Sequence, residues 1–151
     1  MSRRSKRPTR KIVDGHRIIV DDETSARMGR IRQTGTKPEL IVRRLIYELG
    51  HRYRVENRDL PGSPDLANRS RGWAVFVHGC YWHRHPRCVR ATTPRRNRAF
   101  WEDKFQANVE RDRRAVRELR RMGYRTVVVW ECQCERQQVL RGRLHRWLKP
   151  D

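Results

Sequence analysis

The sequence predicts one α/β domain in which a mixed sheet is covered by helices. Trp73-Ala74-Val75-Phe76-Val77-His78 and Thr126-Val127-Val128-Val129-Trp130 are unbroken apolar runs rich in strand formers, the pattern of strands buried on both faces. Between them, apolar residues recur at helical spacing from about Arg98 to Met122, where Gly123 stops the pattern. At 151 residues the chain has room for one domain and hardly two.

The elements follow in chain order. From Met1 to about Val20 come Arg3, Arg4, Lys6, Arg7, Arg10 and Lys11 before the first acid, Asp14, with neither helical nor strand period. Residues 1–22 therefore read as a basic, mobile tail that adds unspecific phosphate contacts, or equally as a solubilising extension, and 23–151 as the folded domain. Thr36-Lys37-Pro38-Glu39 has capping-box spacing, Leu40, Ile41, Leu45, Ile46 and Leu49 continue at helical intervals, and Gly50 is placed as a C-cap. Arg52 to Val55 suits a short strand. Leu60-Pro61-Gly62-Ser63-Pro64-Asp65 breaks regular structure, and Gly79 to Pro94, rich in Cys, His, Arg and Pro, reads as a loop.

On the long helix Trp101, Phe105, Val109, Val116 and Leu119 share one stripe, with Asp112 near its centre and Asn108 at its edge. An acid inside an apolar stripe calls for a partner. Glu135 to Lys149, with Val139, Leu140, Leu144, Trp147 and Leu148, predicts a closing helix interrupted by Gly142.

Lys and Arg number 37 against 17 acids, a formal charge of +20. A polyanion is the natural large partner, since each phosphate contact releases condensed counterions; nucleic acid comes first and an acidic membrane a distant second. Hydrophobic residues make up 36%, below the usual ~45–50%, but their clustering permits a modest core. With no apolar run near the ~18 residues of a membrane span and no signal-peptide pattern at the start, the expectation is a soluble, cytoplasmic protein.

Cysteine usage fits that compartment: with no export signal, Cys80, Cys88, Cys132 and Cys134 favour metal ligation or plain thiols over disulfides. Cys80-x4-His85-x2-Cys88 gathers three donors within nine residues, and either Cys132 or Cys134 can close a tetrahedron. Three thiolates and an imidazole saturate Zn²⁺ and leave no open position, which suits a structural site. The competing reading is four unrelated thiols.

A second constellation is acidic. Pro64-Asp65 follows a bend, and His78 ends a strand thirteen residues later. A carboxylate so placed can hold Mg²⁺ against a phosphate oxygen, although alone it reads as a turn with an Asx hydrogen bond. Its company is His78, His83, Asp112 and Glu39. An imidazole near its usual pKa of ~6.5 can take a proton from water, and a carboxylate behind it fixes the tautomer. Contact between His83 and Asp112 is therefore expected, against pairing of Asp112 with a neighbouring arginine. Tyr81, Trp82 and Trp101 stand beside the cationic loop, where flat side chains stack on bases or wedge a duplex step; core packing is the default for Trp101.

Read together, Thr36-Lys37-Pro38-Glu39-Leu40, Leu60-Pro61-Gly62-Ser63-Pro64-Asp65, Val75-Phe76-Val77-His78-Gly79-Cys80-Tyr81-Trp82-His83, Asn108-Val109-Glu110-Arg111-Asp112 and Val129-Trp130-Glu131-Cys132 resemble, in order, the Vsr endonucleases of very short patch repair. These form a branch of the PD-(D/E)xK nuclease superfamily, and the resemblance spans about Thr24 to Leu148. It implies a restriction-endonuclease-like domain and an Mg²⁺-dependent enzyme that nicks DNA 5′ to the thymine of a T:G mismatch left by 5-methylcytosine deamination. By position, Asp65 and the Val77 carbonyl would bind Mg²⁺, His83 would be general base oriented by Asp112, His78 would support the reaction, and Glu39 would order metal-bound water. Zn²⁺ would fall to Cys80, His85, Cys88 and Cys132. Tyr81, Trp82 and Trp101 would enter the duplex from the major groove and Met28 from the minor groove. The resemblance also implies a nucleoid-associated monomer working beside mismatch-repair proteins. Departures are a one-residue longer His85–Cys88 interval, Tyr81 in place of the commoner Phe, and the basic segment before Asp22. A sequence-specific or modification-dependent endonuclease, and an inactive zinc-stabilised DNA-binding module, are the alternatives.

Overall fold

The computed structural model describes residues 8–20 and 35–150. The expected α/β architecture is present, built on a three-stranded sheet of β3 (Leu66–Asn68), β4 (Trp73–His78) and β5 (Arg125–Trp130) in the order β3-β4-β5. The sheet is mixed: β3 runs antiparallel to β4, and β5 pairs parallel to β4 from Trp73↔Arg125 to His78↔Trp130. The parallel pair requires a crossover, supplied by helix α2 (Arg98–Arg121).

Both faces are covered, so β4 has no polar side to alternate with. Trp73 and Val75 point with Leu66 and Val129 into one core, where α1 (Lys37–Glu48) contributes Val42, Leu45 and Ile46, and α3 (Gln137–Leu148) contributes Leu140, Leu144 and Leu148. Ala74 and Phe76 point the other way, with Ala67, onto Ala115 and Leu119 of α2. Both α1 and α2 end as the sequence indicates. At Gly50, φ +85°, the N–H bonds Tyr47 O while that of His51 bonds Ile46 O; at Gly123, φ +92°, the same pair of bonds runs to Arg120 and Leu119. These are Schellman closures, which need a left-handed residue that glycine supplies without strain.

Several expectations are corrected. The segment read as having no strand period forms a hairpin, β1 (Thr9–Val13) paired antiparallel with β2 (His16–Val20). Its turn is Asp14-Gly15, both at positive φ (+48° and +77°), the two-residue connection whose twist matches paired strands. Alternation was hidden because the outer face carries Ile12 as well as arginines. Residues 1–7 of the basic segment, and Met28, lie outside the described residues. Arg52 to Val55 forms only a single bridge, Arg54↔Ala67. Leu40 on α1 is exposed, and the capping box closes on one side only. Thr36 Oγ1 accepts from Glu39 N at 3.4 Å, but the Glu39 carboxylate reaches Gly35 N at 3.0 Å rather than Thr36 N. A short 3₁₀ turn, Glu131–Glu135, precedes α3, so the closing helix starts two residues later than expected.

Candidate active site

The C-terminal end of β4, the turn before β3, the 79–88 loop and the inner row of α2 enclose a cleft of about 770 Å³. Each wall follows from local sequence. Leu60-Pro61-Gly62-Ser63-Pro64 turns tightly, with Ser63 N bonding Leu60 O at 3.0 Å and Gly62 at φ +70°, and delivers Asp65 at its end. Asn57, fully buried, holds that turn by donating to Arg54 O and Pro64 O.

Asp65 lines the cleft, and its Oδ2 accepts from Val77 N at 2.7 Å, tying the acid to β4. Among the described residues it has no other hydrogen-bond partner. Burial, reinforced by the nearby Glu39 carboxylate and opposed by the Val77 N–H, His83 and Arg43, pushes its pKa up to about 6. Glu39, itself buried, pairs with Arg43 one helical turn along. Two acids facing one cleft, with Glu39 raising the cost of ionising Asp65, make a place that favours a bound cation.

Opposite them stands a histidine pair. His78 ends β4, buried at 6% exposure, and its ring stacks on that of His83 with centroids 3.9 Å apart and planes 6° from parallel. Burial, reinforced by His83, lowers the His78 pKa to about 4, so it is neutral at physiological pH. His83 Nδ1 lies 2.6 Å from Asp112 Oδ2, the contact expected from the acid on the α2 stripe. That bond places the proton on Nδ1 facing the carboxylate and leaves Nε2 as the basic nitrogen. The ligand atoms of His78, His83 and Asp112 lie within 4.8 Å of one another. The α2 stripe is thus divided. Phe105 and Leu119 are buried, whereas Trp101, Val109, Asp112 and Val116 are only partly covered, because Trp101 and Asp112 face the cleft.

Cys80, His85, Cys88 and Cys132 form a second group with all ligand atoms within 4.8 Å. His85 Nδ1 lies 3.6 Å from Cys80 Sγ and 3.4 Å from Cys132 Sγ. Its ring stacks on Trp130, centroids 4.4 Å apart. Cys132 lies beside His85, whereas Cys134 Sγ points into the α1–α3 core, toward Pro38 O at 3.7 Å. Burial pushes the Cys80 thiol up to about 12, whereas the Arg90 N–H lowers that of Cys88. Three sulfurs and an imidazole converging on one point are a donor set able to hold a metal ion.

The aromatics form one wall. Trp82 packs on Trp101 and Phe105, and Tyr81 meets Phe105 edge-on at 5.3 Å. Sequence reasoning missed Arg84, which sits 4.0 Å above the Phe105 ring and donates to Tyr81 O, Ala91 O, Thr92 O and Thr93 Oγ1, holding the loop closed. It also missed Lys104, Arg111 and Glu131 on the cleft wall. The two cations were findable, since they fall on the helical row of Trp101, Asn108 and Asp112. Glu131 accepts from Cys80 N at 3.3 Å, a contact between distant strand ends that no spacing announces.

Acids and a carboxylate-backed imidazole gathered in an aromatic-walled cleft, on a chain of formal charge +20, are the equipment of a nuclease. The family described as DNA mismatch endonuclease Vsr matches residues 18–90. The chain is 39% identical to the type II nicking enzyme V.XorIIP of Xanthomonas oryzae over 82% of its own length and 90% of that protein's. It is 35% identical to the type II nicking enzyme V.NmeAIP of Neisseria meningitidis, over 87% and 94%, and 36% identical to the DNA mismatch endonuclease Vsr of Escherichia coli, over 80% and 75%. The chain belongs to the Vsr family of DNA endonucleases. No helix among the described residues is long and apolar enough to cross a membrane.

Proposed function

We propose that this endonuclease nicks one strand of duplex DNA 5′ to the thymine of a T:G mismatch, on a restriction-endonuclease-like core. The observation that carries the reading is the shared cleft: Asp65, His83 and Asp112 arrive from a turn, a loop and a helix, yet line one wall system with Glu39 and Val77. Asp65, with the Val77 carbonyl, suits Mg²⁺, which would neutralise phosphate charge and lower the pKa of a nearby water. His83 Nε2 takes the proton of the attacking water as its oxygen bonds phosphorus and the bond to the leaving sugar oxygen breaks, that oxygen taking a proton from solvent, and Asp112 stabilises the imidazolium that forms. His78, kept neutral by burial, supports the His83 ring from one side without adding a competing positive charge. Glu39 orders water at the acid end of the cleft.

Zn²⁺ suits the cysteine group. For Zn–S of ~2.3 Å and Zn–N of ~2.05 Å, a tetrahedron has an S···N edge of ~3.5 Å, and the two edges here are 3.6 and 3.4 Å. Tyr81, Trp82 and Trp101 stack against the displaced bases from the major groove, and Met28 enters from the minor groove. The enzyme works as a cytoplasmic, nucleoid-associated monomer alongside mismatch-repair proteins, with residues 23–151 as its catalytic domain.

The relatives named type II nicking enzymes favour a second reading, a sequence-specific nicking enzyme for intact sites. Nicking of a T:G duplex and of its C:G parent in Mg²⁺ separates the two. Preference for T:G supports mismatch repair, and equal cutting of both replaces it with the second reading. An Asp65→Ala chain that still nicks would remove the metal assignment from both.

A further inference from the structure

The β1–β2 hairpin is docked on the domain by specific contacts. Asn97, in left-handed conformation before α2, uses its whole side-chain amide on one residue of β2: Oδ1 accepts from Ile19 N at 2.9 Å and Nδ2 donates to Ile19 O at 3.0 Å. His16 Nε2 meets Asp103 Oδ2 at 2.7 Å and its ring packs edge-on against Phe100, while Ile18 is buried. The register sets the two faces of the ribbon. Ile18, His16 and Val13 look toward α2, whereas Arg10, Ile12 and Arg17 look outward; Lys11, opposite Ile18, lies on the α2 side of the ribbon but is exposed. Arg10, Lys11 and Arg17 have no acidic partner among the described residues.

The docking site adjoins the cleft. Phe100 and Asp103 hold the hairpin, and the next helical positions, Trp101 and Lys104, line the cleft itself. A duplex seated across Trp101 and continuing past the start of α2 meets the outer face of the hairpin. Five residues per strand at ~3.4 Å each give an arm of ~17 Å, about half a turn of B-DNA. We infer that the β1–β2 hairpin is a second DNA-contacting site, in which Arg10, Lys11 and Arg17 grip the sugar–phosphate backbone outside the cleft. This rests on the nuclease reading and adds to it a site that lengthens the footprint without reading bases.

The test is the salt dependence of duplex binding, read by fluorescence anisotropy, for the full chain and two charge-matched variants. One carries Arg10→Gln, Lys11→Gln and Arg17→Gln; the other carries Arg136→Gln, Arg146→Gln and Lys149→Gln, on and around α3 across the sheet. Three phosphate contacts contribute ~2.7 to the log–log slope, so between about 50 and 200 mM salt the parent loses ~40-fold more affinity than the hairpin variant. The α3 variant is expected to keep the parent slope, and both variants to keep the parent melting temperature. Equal slopes for hairpin variant and parent, or equal losses in both variants, overturn the hairpin site. A parent chain that binds no duplex overturns the nuclease reading instead, so the two failures are distinct.

Discussion

Gly62 offers a one-atom test of how the acid-bearing turn is fixed to the rest of the cleft. Its φ is +70°, and a Cβ added there would stand 2.4 Å from Ala115 Cβ and 3.2 and 3.3 Å from two atoms of the Phe76 ring. A side chain in left-handed backbone costs ~1–2 kcal/mol, partly offset by ~0.4–1 kcal/mol from the stiffer unfolded chain. The collision is an overpacking of ~1–3 kcal/mol, because Ala115 and the Phe76 ring belong to the buried α2–sheet contact and not to a flexible tip. Gly62→Ala should therefore destabilise by about 3 kcal/mol, within a range of ~1 to 5 kcal/mol. At ~2–4 °C per kcal/mol for a chain of this size, the melting temperature falls by roughly 5–12 °C.

Ala115→Gly removes the clashing methyl, at a cost of its own of ~1 kcal/mol for glycine inside a helix. In that background Gly62→Ala should cost only ~1 kcal/mol, chiefly the backbone contribution, giving a coupling of about 2 kcal/mol between the two sites. Because Asp112 lies three residues before Ala115 and Asp65 three after Gly62, separating the turn from α2 also separates the two acids. Nicking by the folded Gly62→Ala protein should fall and should recover in the double variant. Urea or thermal unfolding of the four proteins checks the energies. Equal costs of Gly62→Ala in both backgrounds would show that the turn does not bear on Ala115, and the reasoning fails.

Other outcomes follow from the same geometry. His83→Ala should cut turnover ~10²–10⁴-fold while duplex affinity stays near the parent's, and Asp112→Asn should act in the same direction by offering Nδ1 the wrong partner; parent rates under saturating DNA count against both. Cys88→Ser should lower bound zinc and melting temperature together, whereas Cys134→Ser should leave zinc content intact; metal analysis of the purified proteins decides. Leu144→Ala, fully buried between α3 and the sheet, should cost ~2–5 kcal/mol in chemical unfolding, and a loss below ~1 kcal/mol would place that core elsewhere. Asp59 is held at about 2 by two hydrogen bonds from Arg69, below its ordinary 3.8. A depressed acid stabilises above its unfolded pKa and loses that contribution as pH falls from 3.8 toward 2, so Arg69→Gln should flatten this limb of the stability curve. Parallel acid limbs for variant and parent would contradict it.

Much of the frame was legible because burial writes itself into composition. β4 and β5 carry no polar alternation since α1 and α3 cover one face and α2 the other, and Gly50 and Gly123 mark ends that require left-handed backbone. Asp112 announced a partner by standing in an apolar stripe. The hairpin was not legible, because Asp14-Gly15 is flanked by strands whose outer face mixes Ile12 with arginines, so the period dissolves in the charge. Spacing alone did not separate Cys132 from Cys134, although the family resemblance implied Cys132: the 3₁₀ turn sends one sulfur to the loop and the other into the core, and two residues of spacing do not report that rotation.

The two donor groups also share backbone, and this bears on how His83 is held. His83 N bonds Gly79 O at 3.1 Å and His85 N bonds Cys80 O at 3.0 Å, so the base lies inside a turn whose flanking residues, Cys80 and His85, are both donors of the cysteine group. Glu131 joins the circuit by accepting from Cys80 N while facing the cleft. A metal drawing Cys80 and His85 together fixes the chain on either side of His83, and Asp112 fixes the ring. Arg84 and the His78 ring add to this hold, from the loop side and from the ring face respectively. On the proposed roles, zinc removal should therefore lower nicking before the domain unfolds, with catalysis lost at chelator concentrations where the far-ultraviolet circular dichroism is unchanged. Activity that falls only in step with the circular dichroism would assign the cysteine group to stability alone.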